Sequence, residues 1–189
     1  MVKVGFICEG ATEKIIVESV NFKNFLKENN LEFIKAIDAN GNGNLLSKHI
    51  KPFIKELLEE GAEHVFVLTD LDEDLCSTKT KQRINAPEGI IVIVAKKEIE
   101  SWFLADSKML QVSFDDKNFS FELPENEINP LQSLNDLFKN KLKSGRGIGK
   151  NKLVAARKMI NNGFSIPNAA LHPNCNSARY FIKRLLALS

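Results

Sequence analysis

The stretch Val65-Phe66-Val67-Leu68-Thr69-Asp70-Leu71-Asp72-Glu73-Asp74 constrains this chain more than any other. Four consecutive apolar residues run almost directly into carboxylates spaced two apart. A short unbroken apolar run reads as a strand buried on both faces, the habit of a parallel sheet. In open α/β sheets the working groups lie just beyond the carboxyl ends of such strands. Asp70, Asp72 and Asp74 fall at that place. Carboxylates crowded this closely raise one another's pKa, spread into water or bind a cation. The expectation is a site for Mg²⁺ or Mn²⁺.

The strand pattern recurs along the chain. Val2–Cys8, Leu31–Ile37, His64–Asp70 and Ile90–Ala95 read as strands. Between them the apolar spacing predicts a helix over Glu13–Asn29, with Thr12 as its N-cap, and another over Leu45–Glu60, closed by Gly61. Leu75–Ile84 is polar and reads as a short helix or a loop, and Asn40–Asn44 as a turn-rich connector. Strands alternating with helices predict right-handed βαβ units. The fold class is therefore α/β, a mainly parallel sheet of about four strands with helices on both faces. Beyond residue 106 the pattern weakens. Phe119–Leu123 reads as an edge strand, and Leu131–Leu142, Lys150–Asn161 and Ser177–Leu188 as helices. The expected organisation is an α/β core over 1–106 and a basic, mostly helical extension over 107–189, packed as one compact unit.

Several function classes fall away. The three cysteines, Cys8, Cys76 and Cys175, show no C-x-x-C spacing, which argues against a disulfide framework or a zinc knuckle. His49, His64 and His172 are not paired at i, i+4, which argues against a zinc hydrolase. No apolar run reaches 18 residues, and Met1 leads directly into a strand with no basic leader, so no membrane span and a cytoplasmic location are expected. Charge is unevenly spread. Residues 1–136 hold all 24 acidic residues against 15 Lys and Arg, whereas residues 137–189 hold 11 Lys and Arg and no Asp or Glu. A basic face beside an acidic cleft suits a polyanion, so DNA or RNA is the expected partner. Lys139, Lys141, Lys143, Arg146, Arg157 and Lys158 are the candidate contacts.

Three strand ends present carboxylates: Glu9 and Glu13 after the first, Asp70, Asp72 and Asp74 after the third, Glu98 and Glu100 after the fourth. If these strands are neighbours, the acids converge on one edge. Hard oxygen ligands of this kind suit Mg²⁺, and two such ions roughly 3.5–4 Å apart can stabilise an in-line phosphoryl displacement. Residues at i and i+2 diverge on a helix, so Glu98 and Glu100 both face inward only if the helix begins between them. Trp102, with Ile99 and Phe103, reads as core.

The arrangement strand–Glu9-Gly10-x-x-Glu13, then strand–Asp70-x-Asp72-x-Asp74, resembles the Toprim domain of topoisomerases, bacterial primases, RNA-maturation nucleases and overcoming-lysogenization-defect (OLD) nucleases. Glu98-x-Glu100-Ser-Trp102-x-x-Ala-Asp106 resembles small Toprim-like proteins that accompany ATPases in phage-defence settings. The resemblance implies a Toprim/Rossmann-like sheet and metal-dependent nuclease activity. It makes Glu9 the acid/base group, also placed to touch metal. Asp70 and Asp72 become metal ligands, Glu13 and Asp74 contributors to a second ion, and Glu98 and Glu100 further ligands or their supports. It also implies a lysine near the scissile phosphate, for which Lys150 and Lys152, after Gly145-Arg146-Gly147-Ile148-Gly149, are the candidates. A non-catalytic or conditionally active nucleic-acid-binding partner of an ATPase is the alternative.

Other motif readings fare worse. An EF-hand needs Gly and Glu where Leu75 and Lys81 stand. A P-loop needs Gly and Ser or Thr where Ser144 and Asn151 stand. A haloacid-dehalogenase phosphatase, with Asp70 as nucleophile, would carry its Asp nearer the N-terminus and Thr or Val where Asp74 sits. Topoisomerase chemistry needs a nucleophilic tyrosine in a separate domain, and Tyr180 lies inside an expected helix. A primase needs a zinc or helicase-binding module, for which the chain has no room.

Overall fold

A computed structural model describes residues 1–189. Four strands, β1 (Val2–Cys8), β2 (Leu31–Asp38), β3 (His64–Asp70) and β4 (Ile91–Ala95), form one sheet in the order β2-β1-β3-β4, and every neighbouring pair is parallel. The α/β class follows. Each strand is apolar at successive residues because both sides are covered. Val4, Phe6, Cys8, Phe66, Leu68, Ile91, Ile93 and Ala95 belong to one core, and Ile7, Val65, Val67, Val92 and Val94 to a second. The period-two alternation of strand side chains assigns these sets to opposite faces.

The second face carries α3 (Lys51–Glu59) and α4 (Ser77–Ile84), through Ile54, Leu57 and Ile84. Gly5 lets α3 approach: a Cβ there would stand 3.1 Å from a Leu57 methyl and 3.2 Å from Ala62 Cβ. The first face carries α1 (Ala11–Val17), α2 (Val20–Glu28), α5 (Glu100–Ala105) and α6 (Ser107–Phe114). It also carries α7 (Pro130–Lys141), α8 (Lys152–Asn161), α9 (Ile166–Leu171) and α10 (Asn176–Leu186). Phe181 of α10 joins this half to the sheet. Its ring lies 5.7–6.2 Å from those of Phe6, Phe22, Phe66 and Trp102. No helix is long and apolar enough to cross a membrane.

Four local expectations need correction. The helix expected over Glu13–Asn29 is two helices, because Ser19 adopts an extended backbone and its hydroxyl caps α2 by accepting from Phe22 N–H at 3.3 Å. Gly10, not Thr12, is the N-cap of α1. The helix expected from Leu45 starts only at Lys51, after a 3₁₀ turn over Asn42–Leu45. Phe119–Leu123 is no strand, and Phe119 packs edge-on to Phe114 at 5.2 Å instead.

Replacing Phe181 with Ala should lower unfolding free energy by about 3–5 kcal/mol in urea denaturation, because the cavity opens against four aromatic rings at once. A loss below about 1 kcal/mol would mean that α10 is not anchored through this side chain.

Candidate functional site

The chain passes from β1 outward to β2, then back across to β3 on the other side of β1. The strand order reverses between β1 and β3, and a crevice at their carboxyl ends is where doubly wound sheets place ligands. Glu9 follows β1, and Asp70 ends β3. Glu9 N–H donates to Leu68 O at 2.9 Å, which prolongs the ladder. The Glu9 carboxylate then turns onto β3: Oε2 accepts from Thr69 Oγ1 at 2.5 Å and from Asp70 N–H at 3.2 Å. Asp70 is 5% exposed, and its Oδ1 accepts from Ile99 N–H at 2.8 Å. That bond fastens the turn after β4, where Lys97 takes a left-handed backbone with φ 64°. Glu13, in the first turn of α1, is also buried, and its Oε2 accepts from Gly10 N–H at 2.9 Å.

Lys152 reaches this group from the other end of the sequence. Its Nζ stands 3.1 Å from Glu98 Oε1, 3.5 Å from Glu100 Oε2 and 3.9 Å from Asp70 Oδ2. α5 begins at Glu100, between the two glutamates, which lets both face the same ammonium. The loop that delivers Lys152 is held by Asn135 of α7. The buried Asn135 Oδ1 accepts from Ile148 N–H and Gly149 N–H, each at 3.0 Å. Gly147 is required there, since a Cβ would fall 2.2 Å from Asn135 Oδ1. Asn151 then caps α8 by accepting from Val154 N–H at 3.0 Å.

Electrostatics set this cluster apart. Lys152 is the one ammonium beside Asp70, Glu98 and Glu100, and the charges of Glu9 and Glu13 add to those around Asp70. Burial, then the neighbouring charges of Glu13 and Glu100, pushes the Asp70 carboxyl well above the usual range. Burial, joined by the charges of Glu100 and Glu9, raises Glu13 to about 7. Burial raises Glu100 too, against the pull of Lys152. Burial alone would lower the Lys152 ammonium, but Glu100, Asp70 and Glu98 outweigh it and raise the pKa. Glu100 is fully buried, and neither of its oxygens makes a hydrogen bond. An unsatisfied buried carboxylate is costly and calls for a cation. The all-oxygen donor set and the unmet charge fit a hard divalent ion. In the present arrangement no three acidic, cysteine or histidine side chains surround a common point at metal-ligand range. Lys152 stands there as the local cation.

Most of the other expected residues have partners of their own. Asp72 takes a left-handed backbone with φ 49°, and its Oδ2 accepts from Asn42 Nδ2 at 3.3 Å. Asp74 pairs with Arg83 at 3.1 Å, and hydrogen bonds from Thr80 and Arg83 lower its pKa. Lys150 is exposed and makes no ion pair with the cluster. Asp106 is structural: Oδ1 caps α6 through Met109 N–H at 2.9 Å, and Oδ2 accepts from Ser165 N–H at 2.8 Å. Trp102 is fully buried, and its Nε1 donates to Ser177 Oγ at 2.7 Å. Among the basic residues, Lys139 pairs with Asp136 at 3.6 Å and Lys141 with Asp116 at 3.4 Å, while Lys158 donates to Gly147 O at 3.1 Å. Lys143, Arg146 and Arg157 are exposed. Sequence reasoning missed Thr69 and Asn135. A hydroxyl beside Asp70 in an apolar strand was the one signal for the first, and nothing local marked the second.

No protein-family model matches the chain, and no curated protein matches its sequence. Among solved structures, the C-terminal region of the Burkholderia pseudomallei OLD protein aligns at 16% identity and a TM-score of 0.45, over 98% of this chain and 99% of that one. The C-terminal region of the Xanthomonas campestris pv. campestris OLD protein aligns at 16% identity and a TM-score of 0.41, over 98% of this chain and 96% of that one.

A carboxyl whose pKa rises on folding binds its proton more tightly in the folded state, so stability falls as pH climbs through the interval between its two pKa values. For Glu13 that interval runs from 4.5 to about 7. Glu13→Gln should therefore leave stability almost unchanged at pH 4 and raise it at pH 8 by about 2–3 kcal/mol, measured by urea denaturation at both pH values. An equal effect at both would show that Glu13 carries no electrostatic penalty.

Proposed function

We propose that this protein is a metal-dependent nuclease that cleaves a phosphodiester bond in DNA or RNA. The observation that carries the reading is the acidic cluster at the β1/β3 crevice, where Glu13, Asp70 and Glu100 are buried beside the half-buried Glu9 and one ammonium does not balance them. Asp70, Glu13 and Glu9 would hold Mg²⁺ or Mn²⁺, with Glu100 next to them. The ion would supply Lewis-acid stabilisation of phosphoryl oxygens and a water of lowered pKa.

The chain's own groups divide the remaining work. Glu9 Oε2 is fixed by Thr69 and the Asp70 amide, which leaves Oε1 free to take a proton at a defined place. Lys152 keeps its charge throughout the neutral range, and its side chain is 44% exposed, so it faces both the buried acids and the solvent side of the crevice. A fixed cation of that kind would stabilise charge building on a phosphate. Glu98 and Glu100 orient it. Asp72 and Asp74 would serve a second ion only after leaving Asn42 and Arg83. The exposed Lys143, Arg146 and Arg157 would contact the backbone and make binding salt-dependent.

A second reading has the site completed only beside an ATPase partner, with participation in phage defence as its setting. It draws on one observation: Lys152 occupies the point where acidic side chains would have to meet.

Incubation with plasmid DNA and with RNA in Mn²⁺ or Mg²⁺ should give products that EDTA abolishes. Asp70→Asn should lower the rate at least about 100-fold while oligonucleotide binding in EDTA persists. Wild-type protein that binds but never cuts, under either ion, would favour the partner-dependent reading.

A further inference from the structure

β4 is an edge strand, paired with β3 on one side and with no strand on the other. A cavity of about 410 Å³ opens there, between the starts of α4 and α10. One part of its wall is apolar: Leu71, Leu75 and Val94, with Leu75 92% exposed. Another part is cationic, from Lys81 and Lys96, with Tyr180 beside them. Lys81 Nζ lies 4.6 Å above the Tyr180 ring and 3.4 Å from its hydroxyl. The one acid in the wall, Glu125, is turned away onto α10, where its Oε1 accepts from Ser177 N–H at 2.7 Å and Ser177 Oγ at 2.5 Å. A second hollow of about 550 Å³ shares Lys81 and Tyr180 and runs on to Arg184.

The two hollows form a trough with three cations and an apolar floor. Its wall residues Leu71 and Lys96 stand next to Asp70 and two residues before Glu98 in the chain, so the trough opens at the same carboxyl ends of β3 and β4, although none of the clustered acids lines it. We propose that this trough takes a single-stranded stretch of DNA or RNA. One nucleotide occupies the first cavity, its base against Leu71, Leu75 and Val94 and its phosphate at Lys81 and Lys96. The strand then continues past Tyr180 to Arg184.

The inference rests on the nuclease reading for its substrate class and adds the strandedness and the subsite. Strand-tracking grooves combine cations along the backbone with apolar or aromatic surfaces for bases. A hollow of this size matches a single small ligand, and a stacked base pair does not enter it. An acidic peptide adding to β4 as a fifth strand is less suited, because Ser177 Oγ already accepts from Lys96 N–H at 3.3 Å and blocks that end of the edge.

Cys76 lines the cavity and is exposed, whereas Cys8 and Cys175 are buried, so a thiol-reactive disulfide dye reads this site alone. The dye reaction is followed in EDTA with a single-stranded ten-nucleotide DNA or RNA, with the matching duplex, and with polyglutamate. The single strand should slow Cys76 labelling about fivefold or more, lose that effect in high salt, and protect better than the duplex. Arg184→Glu, at an exposed position, and Lys81→Glu should each weaken single-strand binding about tenfold in fluorescence anisotropy, with an unchanged thermal melt. Unaltered labelling with every nucleic acid, or protection by polyglutamate alone, would overturn the proposal. Because these measurements need no cleavage, they stand apart from the nuclease test. Wild-type protein that never cuts would sink the nuclease reading, and an Asp70→Asn protein that cuts like the wild type would sink its placement at the acidic cluster; either leaves the Cys76 result to judge the trough.

Discussion

The contact between the Lys152 ammonium and the acids Asp70, Glu98 and Glu100 ties the carboxyl end of the sheet to the helical half of the chain. Asp70 and Glu100 are each nearly or wholly removed from water, and Glu100 has no hydrogen-bond donor of its own. Charges in that position are tolerable only beside an opposite charge. Three distant parts of the chain therefore have to meet: the end of β3, the start of α5 and the start of α8. The crevice between β1 and β3 gives them a place, and the Asn135 clamp on residues 148–149 gives Lys152 its reach.

Much of the fold can be read along the chain. The His64–Asp70 strand has its observed limits because an apolar run that stops at a carboxylate leaves little freedom. Strand–helix alternation left the adjacency of β1 and β3 open, as a condition for the acids to converge; the observed strand order meets it and brings Glu9 to Asp70. Glu98 and Glu100 satisfy the one condition under which both can face inward, a helix that starts at Glu100. Other features were out of reach. The break at Ser19 competes with an unbroken apolar stripe, and only tertiary packing decides for the break. α6 and α9 are short helices whose ends are set by Asp106 and by packing on α10 rather than by periodicity.

The charge pattern was legible in total but not in detail. The surplus of Lys and Arg after residue 136 is plain, yet Lys139, Lys141 and Lys158 are engaged within the protein. Two of the partners, Asp116 and the carbonyl of Gly147, lie far from their lysines in sequence, and no local pattern links them. The cations that line the trough beside β4 are Lys81, Lys96 and Arg184, the first two from the acidic part of the chain. A basic segment is thus a poor guide to a basic surface, since pairing is decided by neighbours in space. Likewise, Asp72 and Asp74 follow Asp70 at a spacing that promises a shared ion, but the left-handed turn at Asp72 sends them to other partners.

On the proposed reading, the acids around Asp70 are a divalent-cation site for which Lys152 stands in. Anomalous diffraction from crystals equilibrated with Mn²⁺ tests it most directly. A peak should lie roughly 2.1 Å from an Asp70 carboxylate oxygen, with Glu9 or Glu13 as a further ligand and the Lys152 ammonium moved off the acids. A crystal saturated with Mn²⁺ in which Lys152 still sits on Asp70, Glu98 and Glu100, with no peak beside them, would contradict it.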